Sequence, residues 1–282
     1  MITLQEIIPW RATAPWANDL MVEQDYLLSQ AVELIFKDQK LSRQLAMRGG
    51  TVLHKGHLAP SSRYSEDIDL VLVANRSHKG IREDLTAVLK PLLGRPVESL
   101  ETTVRLAVRN LVSKSKIARL VYRYSPASPL AAMADLKVEV NLNEQKSLYP
   151  LTSVDIYVPS SSGPLKVPVV SYDLDEMLGT KLRALLQRDH GRDLFDLWHA
   201  WSVSQVPGTA AKVNPARVGE AFRFYMDQEG SNFSRAEFAS ELALRMSSEK
   251  FLRDMEGFLP AGRKYDPHVA YQQFCEVYLP HL

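Results

Sequence analysis

The chain has a single cysteine, Cys275, in 282 residues. An internal disulfide framework is therefore excluded, and a reducing, cytoplasmic setting is the expectation. No apolar run approaches the roughly 18 residues that a membrane span needs. The first residues, "MITLQEIIPWRATAPW", lack the basic-then-apolar pattern of a secretory signal, so no membrane role is expected. Charge of neither sign is in excess. With 34 Lys and Arg against 33 Asp and Glu the net charge is +1, and attraction to a polyanion would have to come from local clustering. There is no internal repeat and no low-complexity segment. What remains is a globular composition, 45% hydrophobic and 24% charged, long enough for two domains or one large one.

The spacing of apolar residues changes along the chain. Between Val22 and Gln39, Leu27, Ala31, Leu34 and Ile35 share a helical face. "LAMRGGTVLHKG" reads as a short strand, a Gly-Gly break and a helix opening at Thr51. An acidic strand, Asp67 to Val73, follows, and then a helix from Arg82 to Leu93 that stops at Gly94. From Val97 to Val170 the pattern is that of strands. It is cleanest in "DLKVEVNL", where Leu136, Val138, Val140 and Leu142 alternate with Asp135, Lys137, Glu139 and Asn141. "PSSSGP" marks a turn, and from Asp173 onward the chain reads as helices. The expectation is an α+β protein: a sheet-containing part over 1–170, then a helical part over 171–282.

Two features carry chemistry. Asp67 and Asp69, two apart on a strand, must stand side by side on one face, where like charges repel. Divalent cations relieve such a pair most simply, and Mg²⁺ takes a few carboxylates together with substrate phosphate oxygens. Glu139, on the polar face of a later strand, is placed to be a third ligand in a two-metal site. The Gly49-Gly50-Thr51 turn into a helix offers free N–H groups to an anion. A phosphate-binding turn, a D-x-D strand and a later strand acid point to phosphoryl or nucleotidyl transfer.

The order "GGTVLHKG…RYSEDIDLVLV…LKVEVNL" resembles the DNA polymerase β-type nucleotidyltransferase superfamily. The stretch "LGTKLRALLQRDHGRDLFDLWHA", with its K-x6-R-x3-R-D-h-h-D-L spacing, is similar to the AbiEii/MenT family of nucleotidyltransferase-like toxins. The resemblance spans about Arg48 to Ala200. It implies a nucleotidyltransferase-type N-terminal domain with a mixed sheet, and a helical domain contributing the Lys/Arg/Asp motif. It implies that Gly49, Gly50 and Thr51 hold a triphosphate, and that Asp67, Asp69 and Glu139 bind two Mg²⁺ ions. Lys181 and Arg188, seven apart and thus on one face of a helix, would reach the same triphosphate. Asp193 and Asp196, three apart on the next helix, would order those basic residues or the incoming nucleotide. Ser65, two residues before Asp67, would project beside the metals, where a phosphoserine would compete with substrate phosphate. The implied activity is Mg²⁺-dependent transfer from an NTP to the 3′ end of a tRNA or another RNA, blocking translation, with a separately encoded antitoxin as partner.

Between Glu101 and Asp135 there is no acidic residue, while Arg105, Arg109, Lys114, Lys116, Arg119 and Arg123 all lie there. A basic strand ribbon carrying Arg105, Arg109, Arg119 and Arg123 suits an RNA backbone. The same stretch also suits a solvated face or a dock for an acidic protein. His54 and His57 lack a third ligand and are expected to face solvent. Trp198, Trp201 and Cys275 are expected to pack in the interior, and Arg192 to form either an interhelix ion pair or a substrate contact. Two alternatives stay open. One is a small-molecule or protein nucleotidyltransferase, which would not need the basic ribbon. The other is a non-catalytic nucleotide-binding regulator, which would not need three acids and Lys181.

Overall fold

A computed structural model of the chain describes residues 3–108, 111–127, 132–231 and 233–282, with 105–108 and 111–115 described as backbone only. The strands are β1 (Leu45–Arg48), β2 (Asp67–Leu72), β3 (Glu98–Val108), β4 (Leu111–Tyr124), β5 (Ala134–Asn141), β6 (Thr152–Val158) and β7 (Leu165–Ser171). They form one mixed sheet in the order β3-β4-β5-β2-β1-β7-β6. The β2–β5 and β1–β7 pairs are parallel, and the other neighbours are antiparallel. The helices are α1 (Leu4–Trp10), α2 (Asp19–Lys37), α3 (Gly49–Val52), α4 (His78–Leu93), α5 (Leu174–Gln187), α6 (Gly191–Ser204), α7 (Pro215–Gln228), α8 (Arg235–Arg245), α9 (Glu249–Arg253) and α10 (Pro267–Val277). The fold is α+β, as the patterning indicates.

Helix boundaries follow local chemistry. Asn18 caps α2 by accepting from Met21 N–H, and Ser77 caps α4 by accepting from Gly80 N–H. Both helices therefore start a few residues earlier than their apolar periodicity suggests. Gly94, at φ 75°, ends α4 where a glycine stop is expected. On β5, Leu136, Val138 and Val140 are fully buried, so that face meets the core and Asp135, Lys137 and Glu139 take the other face. The strand-to-helix change falls between Ser171 and Leu174. One continuous apolar core nevertheless runs from Leu27 through the sheet to Tyr278.

A second, smaller core gathers Ile7, Trp10, Trp16, Val22, Tyr26 and Tyr64. Its polar centre is Asp25, fully buried on α2. That carboxylate accepts from Trp10 Nε1 at 2.8 Å, Trp16 Nε1 at 3.0 Å and Lys55 Nζ at 2.7 Å. The N-terminal segment is thereby fastened beside Tyr64, immediately before the acidic strand. Asp25→Ala leaves the Lys55 ammonium buried without its counter-charge, and a loss of about 3–5 kcal/mol in urea unfolding is expected. Lys55→Met keeps both indole donors on Asp25 and should cost less in the same measurement.

Candidate active site

The parallel register of β2 on β5 sets Asp69 beside Glu139 and Asp67 beside Lys137. The antiparallel pairs on either side extend the row: Arg48 of β1 lies opposite Asp69, and Arg119 of β4 lies opposite Glu139. Four neighbouring strands thus carry Arg48, Asp69, Glu139 and Arg119 in one line, two carboxylates flanked by two guanidiniums. Arg119 Nε donates to Glu139 Oε1 at 2.7 Å, and Lys137 Nζ stands 3.9 Å from Asp67 Oδ1. Among the described residues Asp69 has no hydrogen-bond or ion-pair partner. Burial pushes the Asp67 carboxyl up to about 7, with the charge of Asp69 adding to the shift and Lys137 opposing it. Burial also raises Asp69, helped by Glu139 and opposed by Arg48, Lys181 and Arg188.

The glycine pair is required by close approach. Gly49 has φ 82°, and a Cβ there would lie 2.1 Å from Asp69 Oδ2; a Cβ on Gly50 would lie 2.5 Å from Arg63 Nη2. Thr51 is buried and turned away from the cleft. Its hydroxyl lies 2.6 Å from the Asp67 carbonyl, to which it donates, and 2.9 Å from Ser65 Oγ. Thr51 thus ties the glycine turn to the acidic strand, while Ser65 lines the cleft beside Asp67.

Facing the acids is a knot of buried charge. Asp193 and Asp196, both fully buried on α6, hold Lys181 Nζ between them at 3.1 Å and 2.7 Å. Arg188 makes a two-pronged bond to Asp193 at 2.7 and 2.9 Å, and Arg63 makes another to Asp196 at 2.6 and 2.8 Å. Burial pushes the Asp193 carboxyl up, but Arg188 and Lys181 outweigh it and hold the group at about 2. Burial opposes ionisation of Asp196 too, and Arg63 and Lys181 prevail, keeping it well below the usual carboxylate range. The two aspartates therefore order the basic residues.

Two expectations need correction here. Helix α5 ends at Gln187, and Arg188 has extended backbone at φ −140° and ψ 153°. Lys181 and Arg188 do not share a helix face; they converge because both bond Asp193. The histidines do not face solvent either. After α3 the chain runs on as a wide π turn, Leu53–His57, which rotates His54 into the interior. His54 Nε2 lies 2.8 Å from Asp196 Oδ1, and His54 Nδ1 lies 2.8 Å from Ser62 Oγ. Burial lowers His54 to about 4, so the ring is neutral; Nε2–H donates to Asp196 and Nδ1 accepts from Ser62. This Ser-His-Asp chain is not a nucleophile, because Ser62, His54 and Asp196 are all buried away from any substrate. His57 is half-buried, with Nε2 3.1 Å from Ser171 Oγ.

The basic ribbon is more balanced than the sequence indicates. Arg119 bonds Glu139, and Arg123 grips Asp135 at 2.8 and 3.0 Å, because β5 lays its acids alongside β4. The Arg105 side chain and the whole of Arg109 lie outside the described residues. Arg192 stacks over Phe258 at 4.8 Å and stands 3.5 Å from both Glu66 and Asp254, at the cleft edge.

Residues that sequence reasoning passed over complete the site. Arg48 immediately precedes the glycine pair and Arg63 lies four residues before the acidic strand, and that proximity was a usable signal. Glu144 and Arg183 carry no such signal. Glu144 bonds Arg48, and it meets Arg183 at 3.0 Å through both oxygens, while Arg183 also reaches Glu229 at 2.8 Å. The cleft has two lobes of about 290 and 320 Å³ that share Asp69, Glu139, Lys181 and Arg188. Among the described residues no three Asp, Glu, His or Cys side chains are disposed to hold a metal ion as they stand. The donor chemistry of Asp67 and Asp69 fits a divalent cation: the pair is crowded, its protonation is raised, and Asp69 is unpartnered. Glu139 fits through the oxygen that Arg119 does not engage.

The knot predicts a specific acid response. The folded-state pKa of Asp193 is depressed, so its contribution is present above the unfolded value near 4 and is lost as pH falls toward about 2. That contribution is on the order of 2 kcal/mol. Asp193→Asn should be less stable than wild type at pH 7 and should lose less stability between pH 4 and pH 2. Urea unfolding at several pH values measures both.

Comparison with known proteins gives the fold and the family. A family model described as "Nucleotidyl transferase AbiEii toxin, Type IV TA system" matches residues 33–277. No curated protein sequence matches. Among solved structures the fold is similar to that of MenT4, a nucleotidyltransferase toxin from Mycobacterium tuberculosis, with a TM-score of 0.63 and 16% identity over 99% of this chain and 90% of that one. The family match extends over the whole sheet and nearly all of the helical part, and it includes every residue of the acid row and the basic knot: the chain belongs to the AbiEii family of nucleotidyltransferase toxins of type IV toxin–antitoxin systems.

Proposed function

We propose that this nucleotidyltransferase moves a nucleoside monophosphate from an NTP onto the 3′ hydroxyl of an RNA, with tRNA as the acceptor, and thereby blocks translation. The observation that carries the reading is the meeting of Asp67, Asp69 and Glu139 with Lys181 and Arg188 across one cleft. Mg²⁺, held by Asp67, Asp69 and the free oxygen of Glu139, would supply neutralising charge for the reacting phosphates. The acceptor oxygen forms a bond to the α-phosphorus, the bond to the bridging oxygen breaks, and pyrophosphate leaves. Lys181 and Arg188 bind the β- and γ-phosphate oxygens, and Asp193 and Asp196 keep the two cations aimed at the cleft. The hydroxyl proton passes to the carboxylate row. An antitoxin partner follows from the family.

One observation favours a protein or small-molecule acceptor instead. Arg119 and Arg123 are already paired with acids, so the ribbon offers less free positive charge to an RNA backbone than its sequence indicates.

The deciding experiment incubates the protein with total RNA, Mg²⁺ and each labelled NTP in turn, followed by a gel. A labelled band at tRNA size supports the proposal; label on protein or on small molecules alone favours the other acceptors. Asp67→Ala and Asp69→Ala should each abolish labelling with circular dichroism unchanged, as should excess EDTA. Lys181→Ala should lower the rate by about two orders of magnitude or more, as for loss of a charge clamp on a transferring phosphoryl group. A Lys181→Ala rate equal to wild type at saturating NTP would remove that residue from the reaction.

A further inference from the structure

The two lobes of the cleft differ in chemistry. The outer lobe is lined by glycine and polar or charged side chains alone, among them Lys137, Arg192, Glu66 and Ser65. The inner lobe is a slot that adds apolar side chains to a charged lining: Val104 and Ile117 from the β3–β4 ribbon, and Ala184 of α5 with Thr180 beside it. Thr180 and Ala184 are four apart and so present a single helix face. The slot also holds two guanidiniums, Arg48 and Arg183, but both are already bonded to Glu144, and Arg183 also to Glu229. That cluster is charge-balanced, and a polyphosphate beside it would meet two carboxylates. A flat, neutral, hydrogen-bonding group suits the slot: its faces would touch Val104, Ile117 and Ala184, and its edge would meet polar atoms.

One of those polar atoms is held in a fixed direction. Gln187 Nε2 donates to Glu229 Oε2 at 2.6 Å. An ionised carboxylate only accepts, so the amide nitrogen must face Glu229, leaving the Gln187 oxygen and one N–H for other partners. We infer that the inner lobe takes the nucleoside end of the donor NTP, base between the ribbon and α5, and that Gln187 reads the base edge. The triphosphate then lies over the shared boundary at Lys181 and Arg188, and the outer lobe is left to the acceptor. The inference rests on an NTP being the donor.

Binding measurements separate this inference from that reading. Each of the four NTPs and inorganic tripolyphosphate is titrated into the intact protein with Mg²⁺ by calorimetry. Wild type is expected to bind at least one NTP more tightly than tripolyphosphate. Ala184→Phe fills the slot and should weaken that NTP tenfold or more, with tripolyphosphate affinity unchanged. Gln187→Leu should change the order or spread of the four NTP affinities several-fold, again with tripolyphosphate unchanged. If Ala184→Phe melts early, Gln187→Leu decides alone, since it substitutes a half-buried side chain near the end of its helix. Equal affinity of wild type for NTPs and tripolyphosphate, or parallel losses of both in the variants, overturns the slot assignment and leaves nucleotidyl transfer standing. Absence of NTP binding by wild type overturns both.

Discussion

The parallel pairing of β2 with β5 is the constraint on which the site depends. It sets Asp69 directly against Glu139, an arrangement that like charges resist. The sheet tolerates it because β1 and β4 place Arg48 and Arg119 at the two ends of the same row. A shift of one residue in either pairing would turn these side chains into the apolar face that α2 and α4 cover, so the buried Ile68, Leu70, Val138 and Val140 hold the register that exposes the acids. Close packing against this row also explains Gly49. Its positive φ and its contact with the Asp69 carboxylate leave no room for a side chain.

A second set of charges joins the sheet to the helices. Asp193 and Asp196 sit on α6, and their partners come from the turn after α3 (His54), the approach to β2 (Arg63), α5 (Lys181) and the residue that ends it (Arg188). Burying carboxylates is expensive, and an apolar cluster of equal volume would stabilise the junction as well or better. What the ionic version adds is direction. Lys181 and Arg188 are each held by a fully buried anion, and both residues line the cleft. The neutral His54 contributes in the same way, fixing one oxygen of Asp196 from behind while Ser62 fixes the ring.

The secondary structure was largely legible because its signals are local. Alternation on β5, the glycine stop of α4 and the helical spacing of α2 need only a few consecutive residues. The motif residues were legible for the same reason, since D-x-D and R-D-h-h-D declare shared faces by spacing alone. Where the sequence reading went astray, the missing information was a partner distant in the chain. Arg188 left its expected helix and was drawn back by Asp193. His54 turned inward because a π turn replaced the α spacing assumed for it. In the basic ribbon Arg119 and Arg123 are paired with Glu139 and Asp135, which lie at or beyond the end of the acid-free stretch but alongside it in the sheet.

The sequence by itself determined the α+β class, the pair of strand acids with its glycine turn, and the helical lysine with its aspartates, because each is set by neighbours along the chain. Tertiary structure decided which charges face one another: the Arg48–Asp69–Glu139–Arg119 row, the sharing of Lys181 between two buried carboxylates, and the pairing of Glu144 with both Arg48 and Arg183. Electrostatic and packing energies depend on distance in space, and strand order, register and helix docking create those distances between residues that sequence spacing leaves unrelated.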